Sequence, residues 1–306
     1  MADDLLSERA GGILTVTLNR PHRLNALDWN LRLGLEALWA EARRDAGLRC
    51  VVVTGTGRGF CSGADTEDLA GPRFPRGEDL NAELAFLPGR QLDVPVVVAV
   101  NGVCAGGGLH FVADADIAIA GRAATFLDPH VSVGQVSGIE PASLALRVPL
   151  SVLARLALLG RGERLDADAA LRVGLVSEVV SDDRLRDRAA EIAAAVAVAS
   201  PTAVRATRRV LRDLEVSVVE PAMRAGWEAV QAHWTHPDVV EGPVAFAERR
   251  PPQWSEPGDQ AGPAAAAPPP PPPAAAPAPA AAPAPAAAPA ARSKQPGEES
   301  HGPDRR

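Results

Sequence analysis

The chain of 306 residues carries 46% apolar side chains, enough for a sizeable core and one or two domains. Its net charge of −7 argues against a nucleic-acid or anionic-membrane surface, though local arginines can still hold phosphates. Aromatics make up 4% and Tyr is absent, a bias towards Ala, Val, Leu, Arg and Pro rather than a fold signal.

The first clear element is a strand over 13–18, where Ile, Thr and Val alternate. A Pro-containing loop, Asn19-Arg20-Pro21-His22-Arg23-Leu24-Asn25-Ala26-Leu27, leads into a helix capped by Asn25 or Asp28 and running to about Arg44. A buried strand over 50–55 runs into Gly59-Phe60-Cys61-Ser62-Gly63-Ala64-Asp65. Residues 69–91 are rich in breakers and basic side chains, with a short helix expected over 80–87. The segment 94–100 is apolar at consecutive positions, as a strand covered on both faces should be. It passes through Asn101-Gly102-Val103-Cys104-Ala105-Gly106-Gly107-Gly108-Leu109-His110 into a helical pattern over 109–115, and a strand follows over 117–120. Helices are expected over 150–159 and 166–173, then a Gly174 stop and a strand to Val180. Further helices are expected over 189–199, 201–214 and 221–232. Strand and helix recur at short intervals, which predicts a largely parallel α/β arrangement. From Ser255 the composition breaks, and 263–292 is almost entirely Pro and Ala, so a disordered tail is expected over 255–306.

Cys50, Cys61 and Cys104 have no metal-ligand spacing and read as reduced, buried thiols. The acidic start Met1-Ala2-Asp3-Asp4 has no signal-peptide character, and no apolar run approaches the ~20 residues of a membrane span. A cytoplasmic location without membrane or nucleic-acid partners is therefore expected.

Three glycines between a strand and a helix remove every Cβ that would keep a ligand from the backbone. They leave N–H groups free at a helix N-terminus, where an oxyanion is favoured. The Gly-Phe-Cys-Ser-Gly-Ala-Asp stretch and the Asn-Gly…Gly-Gly-Gly stretch, in that order, resemble the paired motifs of the crotonase superfamily, the enoyl-CoA hydratase/isomerase family. The likeness runs from about Gly12 to Trp254. It includes the Gly174-Leu175-Val176 element and the ending Glu241-Gly242-Pro243-Val244-Ala245-Phe246-Ala247-Glu248-Arg249-Arg250-Pro251.

The resemblance implies an α/β, crotonase-like (ClpP/crotonase) spiral of ββα units with a C-terminal helical trimerisation layer. It divides the chain into a core over 1–195, a helical region over 196–254 and the tail. It implies an acyl-CoA substrate, with CoA as part of the substrate and no other cofactor or metal, and a homotrimer or dimer of trimers. The N–H groups of Ala64 and Gly107 become the oxyanion hole. Arg23, Ala26, Ser62, Asp65, Thr66 and Gly106, with Ala64 and Gly107, become the CoA- and substrate-binding positions.

The family's hydratases carry two glutamates, and the matching positions here are His110 and His130, the latter in Phe126-Leu127-Asp128-Pro129-His130. An imidazole titrates near working pH and can give or take a proton, so the pair can stand in for two carboxylates. Asp128 and Glu140 are the expected orienting partners, with Asp114 and Asp116 on the strand side of the same unit. The leading expectation is an enoyl-CoA hydratase/isomerase-like enzyme that stabilises a thioester enolate. Two alternatives stand beside it. One is hydrolysis of a C–C bond of β-diketone or ring-opening type, because the Phe-x-Asp-x-His string is similar to that of such members. The other is a non-catalytic CoA-binding scaffold subunit.

Overall fold

Val51, Val53, Val96, Val98 and Val100 turn to one face of a sheet, while Cys50, Val52, Val97 and Ala99 turn to the other, and all are buried. The side-chain period of two sends neighbours to opposite faces, so a strand apolar throughout needs cover on both. The computed structural model, which describes residues 4–65, 68 and 79–256, supplies that cover.

The main sheet has six strands: β1 (Leu5–Ala10), β2 (Ile13–Leu18), β3 (Cys50–Gly55), β5 (Val96–Val100), β7 (Ile117–Gly121) and β10 (Glu178–Val180), in that spatial order. Only β1–β2 is antiparallel, a hairpin that closes where Ala10 pairs with Ile13. One face packs on Leu185, Ala189 and Ala193 of the helix Leu185–Val198. The other packs on the larger core, which includes Leu35, Trp39, Phe60 and Phe111.

A second sheet stacks four short strands, β4 (Gly59–Cys61), β6 (Val103–Ala105), β8 (Thr125–Leu127) and β9 (Leu165–Asp166). Each long strand β3, β5 and β7 is thus followed by a short one, which makes the chain spiral. The α/β arrangement with C-terminal helices is as expected. Strands of two or three residues are too short to carry a period, and the second sheet does not show in the sequence. Strand β1 is mostly exposed and likewise gives no apolar signal.

Ten α-helices lie among the described residues: α1 (Trp29–Ala42), α2 (Leu80–Glu83), α3 (Pro88–Gln91), α4 (Gly107–Asp114), α5 (Ile139–Ser143), α6 (Leu150–Leu159), α7 (Ala167–Arg172), α8 (Leu185–Val198), α9 (Pro201–His233) and α10 (Asp238–Glu248). Asp28 caps α1, its side chain accepting from the Leu31 N–H at 2.8 Å. The two helices expected over 201–214 and 221–232 are one, with Pro221 inside. An interior proline costs about 3 kcal/mol. Here Val219, Met223, Trp227 and Val230 bury the helix on both sides of it. A Cβ on Gly226 would sit 2.1 Å from the Gly138 carbonyl oxygen, so α9 lies almost backbone to backbone on the start of α5.

The boundary expected between 195 and 196 falls inside α8, and the described residues pack as one unit. Order extends to Ser255, whose N–H donates to Asp238 at 2.9 Å; residues 257–306 of the expected tail lie outside the described residues. The three cysteines are free and buried, and burial pushes the Cys50 and Cys61 thiols up to about 12. No single helix among the described residues is long and apolar enough to cross a membrane.

Candidate active site

The Asn19–Leu27 loop is fixed before any ligand arrives. Leu24 and Asn25 adopt left-handed φ values of 51° and 56°. Asn25 is fully buried; its amide accepts from the Arg20 N–H and donates to the Thr56 and Gly59 carbonyls. The Arg20 guanidinium donates to the Ala26 carbonyl at 2.6 Å and meets Asp65 at 3.2 Å and Asp28 at 3.0 Å. Nothing local in the Asn19–Leu27 loop marks Arg20 as this clamp, because Asp65 lies 45 residues away. Asp65 lies at the cleft, but its buried carboxylate is engaged by Arg20 rather than turned to a ligand.

Leu27 joins Ala64 in an isolated parallel bridge. The Leu27 N–H donates to the Gly63 carbonyl at 2.8 Å, and the Asp65 N–H donates to the Leu27 carbonyl at 3.1 Å. That pattern turns the Ala64 N–H away from the bridge. The Gly107 N–H opens α4, where no intrahelical acceptor exists. The two loops interleave closely. A Cβ on Gly63, whose φ is +91°, would meet the Ala105 carbonyl at 2.9 Å and the Gly107 nitrogen at 3.1 Å. One on Gly107 would lie 3.8 Å from the Ala64 nitrogen. Neither N–H has a backbone acceptor among the described residues, and the two stand side by side at the wall of a cavity of about 380 Å³. Arg23, Ala26, Ser62, Gly106, His110, His130 and Glu140 reach the same cavity, and Thr66 lies outside the described residues.

The titratable groups form a chain of contacts. Asp128, 2% exposed, closes on His130 Nδ1 at 2.6 Å, and its other oxygen accepts from the Ser137 hydroxyl at 2.5 Å. His130 Nε2 lies 3.5 Å from Glu140 Oε1, and His110 Nε2 lies 3.0 Å from the same oxygen. Burial alone would raise the Glu140 carboxyl, but the His130 and His110 imidazoles outweigh it and hold it down at about 2. The His130 side chain is 25% exposed against 8% for His110, so His130 is the face of the cluster that a ligand meets. A Cβ on Gly106 would approach His130 Cε1 to 3.3 Å, which places the ring against the glycine turn.

Asp128, His130 and Glu140 are compact enough to bring a metal ion to mind. The two carboxylates hold opposite ring nitrogens, however, an arrangement that orients a proton carrier. Asp114 and Asp116 belong elsewhere. Asp114 accepts from the Gly89 N–H and pairs with Arg212, and Asp116 pairs with Arg208 at 2.7 Å. Ser137 was not anticipated; nothing in its local sequence marks it.

The family model described as enoyl-CoA hydratase/isomerase matches residues 8–257. The chain belongs to this family. The enoyl-CoA hydratase EchA19 of Mycobacterium tuberculosis is 32% identical over 82% of this chain and 96% of its own. The carnitinyl-CoA dehydratase of Escherichia coli K12 is 34% identical over 83% and 99%. The solved structure of EchA1_1 from Mycobacterium paratuberculosis superposes with a TM-score of 0.73 at 33% identity, covering 83% of this chain and 99% of that one. The protein is an enzyme of the hydratase/isomerase family, and its relatives process acyl-CoA thioesters.

Proposed function

We propose that the chain binds an unsaturated acyl-CoA thioester and transfers water or a proton at its Cα and Cβ, with His130 as the proton carrier. The observation that carries this reading is the His130 ring held by Asp128 at 2.6 Å and set against the Gly106 backbone, beside the Ala64 and Gly107 N–H groups.

The thioester oxygen accepts from the Ala64 and Gly107 N–H groups, and negative charge gathers there as the enolate forms. His130 Nδ1–H donates to Asp128, which fixes the tautomer whose Nε2 carries no proton and can accept one. In hydration Nε2 removes a proton from water, the oxygen bonds to Cβ, and the same proton returns to Cα. In isomerisation Nε2 carries a proton between two carbons of the acyl chain. In both the imidazolium lies between the Asp128 and Glu140 carboxylates. Glu140, kept ionised, joins His110 to His130 and is not itself the acid. The chemistry asks for no group beyond the CoA thioester.

Crotonyl-CoA turnover, followed by loss of the conjugated thioester, tests the reading. His130→Ala is expected to lower kcat/KM by about 10²–10⁴-fold without unfolding the protein. Full activity in His130→Ala would remove His130 from the mechanism, while no turnover of crotonyl-CoA by the wild-type chain would reopen the scaffold reading. The Asp128–His130 pair could equally activate water against a β-diketone. Cleavage of a CoA-free diketone, with crotonyl-CoA untouched, would replace hydration by C–C hydrolysis.

The reading includes self-association in the cytoplasm. Val210, Leu214 and Val218 repeat every four residues on α9 and are 69%, 61% and 50% exposed. A trimer or dimer of trimers would cover them, and light scattering reads the mass directly.

A further inference from the structure

The His130 ring stands on a 3-10 turn, His130–Val133, which a side chain from the end of α9 ties down. The Gln135 N–H closes the turn on the His130 carbonyl at 2.9 Å. Gly134 lies between them in the left-handed region, with φ of 67°. No backbone N–H among the described residues reaches the Gly134 carbonyl, and His233 Nε2 lies 3.1 Å from it. A carbonyl can only accept, so this Nε2 carries its proton and donates. His233 is not among the residues that line the cleft.

The donor is itself held in place. The His233 ring stacks on His236, with centres 4.8 Å apart and 14° between the planes. His236 Nδ1 accepts from the Asp238 N–H at 3.3 Å, where α10 starts. Higher on α9, Gly226 meets Gly138 backbone to backbone, two residues before Glu140. His233 and Gly226 are about two turns apart on α9, or roughly 10 Å. The segment from Gly134 to Gly138 joins the His130 turn to the Glu140 helix, and one helix touches both of its ends.

We propose that His233 is a positioning residue for the proton carrier: its Nε2–H fixes the Gly134 carbonyl, and thereby the place of the His130 ring against Glu140 and the thioester. This rests on the reading of His130 as that carrier. The contact of His130 with Asp128 is local and survives a drift of the turn, because the two lie two residues apart. The 3.5 Å between His130 Nε2 and Glu140 does not, because Glu140 belongs to a helix docked separately on α9. A misplacement of about 1 Å in an active site can cost about 10²-fold in rate.

Two substitutions in the full chain separate the donor from the ring. His233→Phe keeps a ring to stack on His236 and deletes the N–H. His233→Gln keeps an N–H near the Nε2 position and deletes the ring. On crotonyl-CoA, His233→Phe is expected to lower kcat about tenfold with KM held, while His233→Gln keeps kcat near the wild-type value. Added to His130→Ala, His233→Phe should lower kcat no further, because it acts through a ring that is already gone. Wild-type kcat in His233→Phe, or the same loss in both backgrounds, overturns the inference and leaves the His130 reading standing. A loss in His233→Gln equal to that in His233→Phe does so too, since the ring and not the donor would then be the cause. Full activity in His130→Ala, or no turnover by the wild-type chain, overturns both. If His233→Phe does not fold, His233→Asn, whose shorter amide does not reach Gly134, takes its place in every comparison.

Discussion

Two buried charge clusters flank helix α4, and they are built to opposite ends. On one side Asp114 and Asp116 are matched by Arg212 and Arg208, and Arg208 also donates to the Leu92 and Gly89 carbonyls. On the other side Asp128 and Glu140 are matched by His130 and His110. A guanidinium holds its charge at every working pH, so the first cluster is a permanent tie between α9 and the sheet. An imidazole changes charge in that range, so the second cluster can trade a proton. In the first, arginine and backbone N–H groups close on the carboxylates, while the second opens to the cleft beside the Ala64 and Gly107 N–H groups. Burial of charge is common to both, and the identity of the cationic partner separates structure from chemistry.

The difference can be broken from either side. The largest effects are expected where one partner is deleted from each cluster. Arg208→Ala leaves Asp116 without its counter-charge and should cost about 3–5 kcal/mol of stability, read by denaturant unfolding, with activity per folded molecule retained. His130→Ala should do the reverse, removing turnover with little change in the unfolding midpoint. Stability lost in both variants, or activity lost in both, would show that the clusters do not divide the work.

Next in size is the oxyanion hole. Proline is tolerated at the first position of a helix, so Gly107→Pro can keep α4 while it removes one N–H donor. A Cβ there would meet only Leu27 Cδ1 closely, at 3.3 Å. The loss expected in transition-state stabilisation is about 3 kcal/mol, seen in kcat/KM on crotonyl-CoA. A folded Gly107→Pro protein with unchanged kcat/KM would move the oxyanion site elsewhere. Smaller again is Ser137→Ala, which deletes the hydroxyl that steadies Asp128. About 1 kcal/mol is expected, as a fall in kcat with KM held. A change in KM alone would place Ser137 in substrate binding instead.

The parts of this site that sequence made legible are those set by short-range spacing. The Ala64 and Gly107 loops each follow a buried strand, and the resemblance pairs His110 with His130, which meet at Glu140. Asp128 lies two residues from His130, and its contact with Nδ1 follows from that closeness. The sequence left open whether Asp128 or Glu140 serves as partner, and both do, on opposite nitrogens. What stayed hidden depends on distant segments. The Arg32–Glu83 pair spans 51 residues, and the Asp116–Arg208 pair spans 92. Asp114 and Asp116 sit in the same local window as His110, and only the tertiary course of α9 directs them away from it. The continuity of α9 through Pro221 is of the same kind, since packing on α5 outweighs a local breaker.

The smallest expected effect is a shift in the position of a curve rather than its height. Glu140 is held down at about 2 by its two imidazoles, against the opposing pull of burial. Its folded value is depressed, so the stability it contributes is full above the unfolded carboxyl value near 4.5 and fades as pH falls towards about 2. Across pH 5–8 it stays a carboxylate. If His130 is the base, activity should fall on acidification as its imidazole takes up a proton, while the protein remains folded. A base at Glu140 would instead keep activity level until acid itself unfolds the chain. The two limbs should therefore separate, with catalysis lost at higher pH than structure, when kcat/KM and circular dichroism are measured on the same samples. Coincident limbs would assign the proton to a carboxylate and leave the histidines as the fixed partners that keep it ionised.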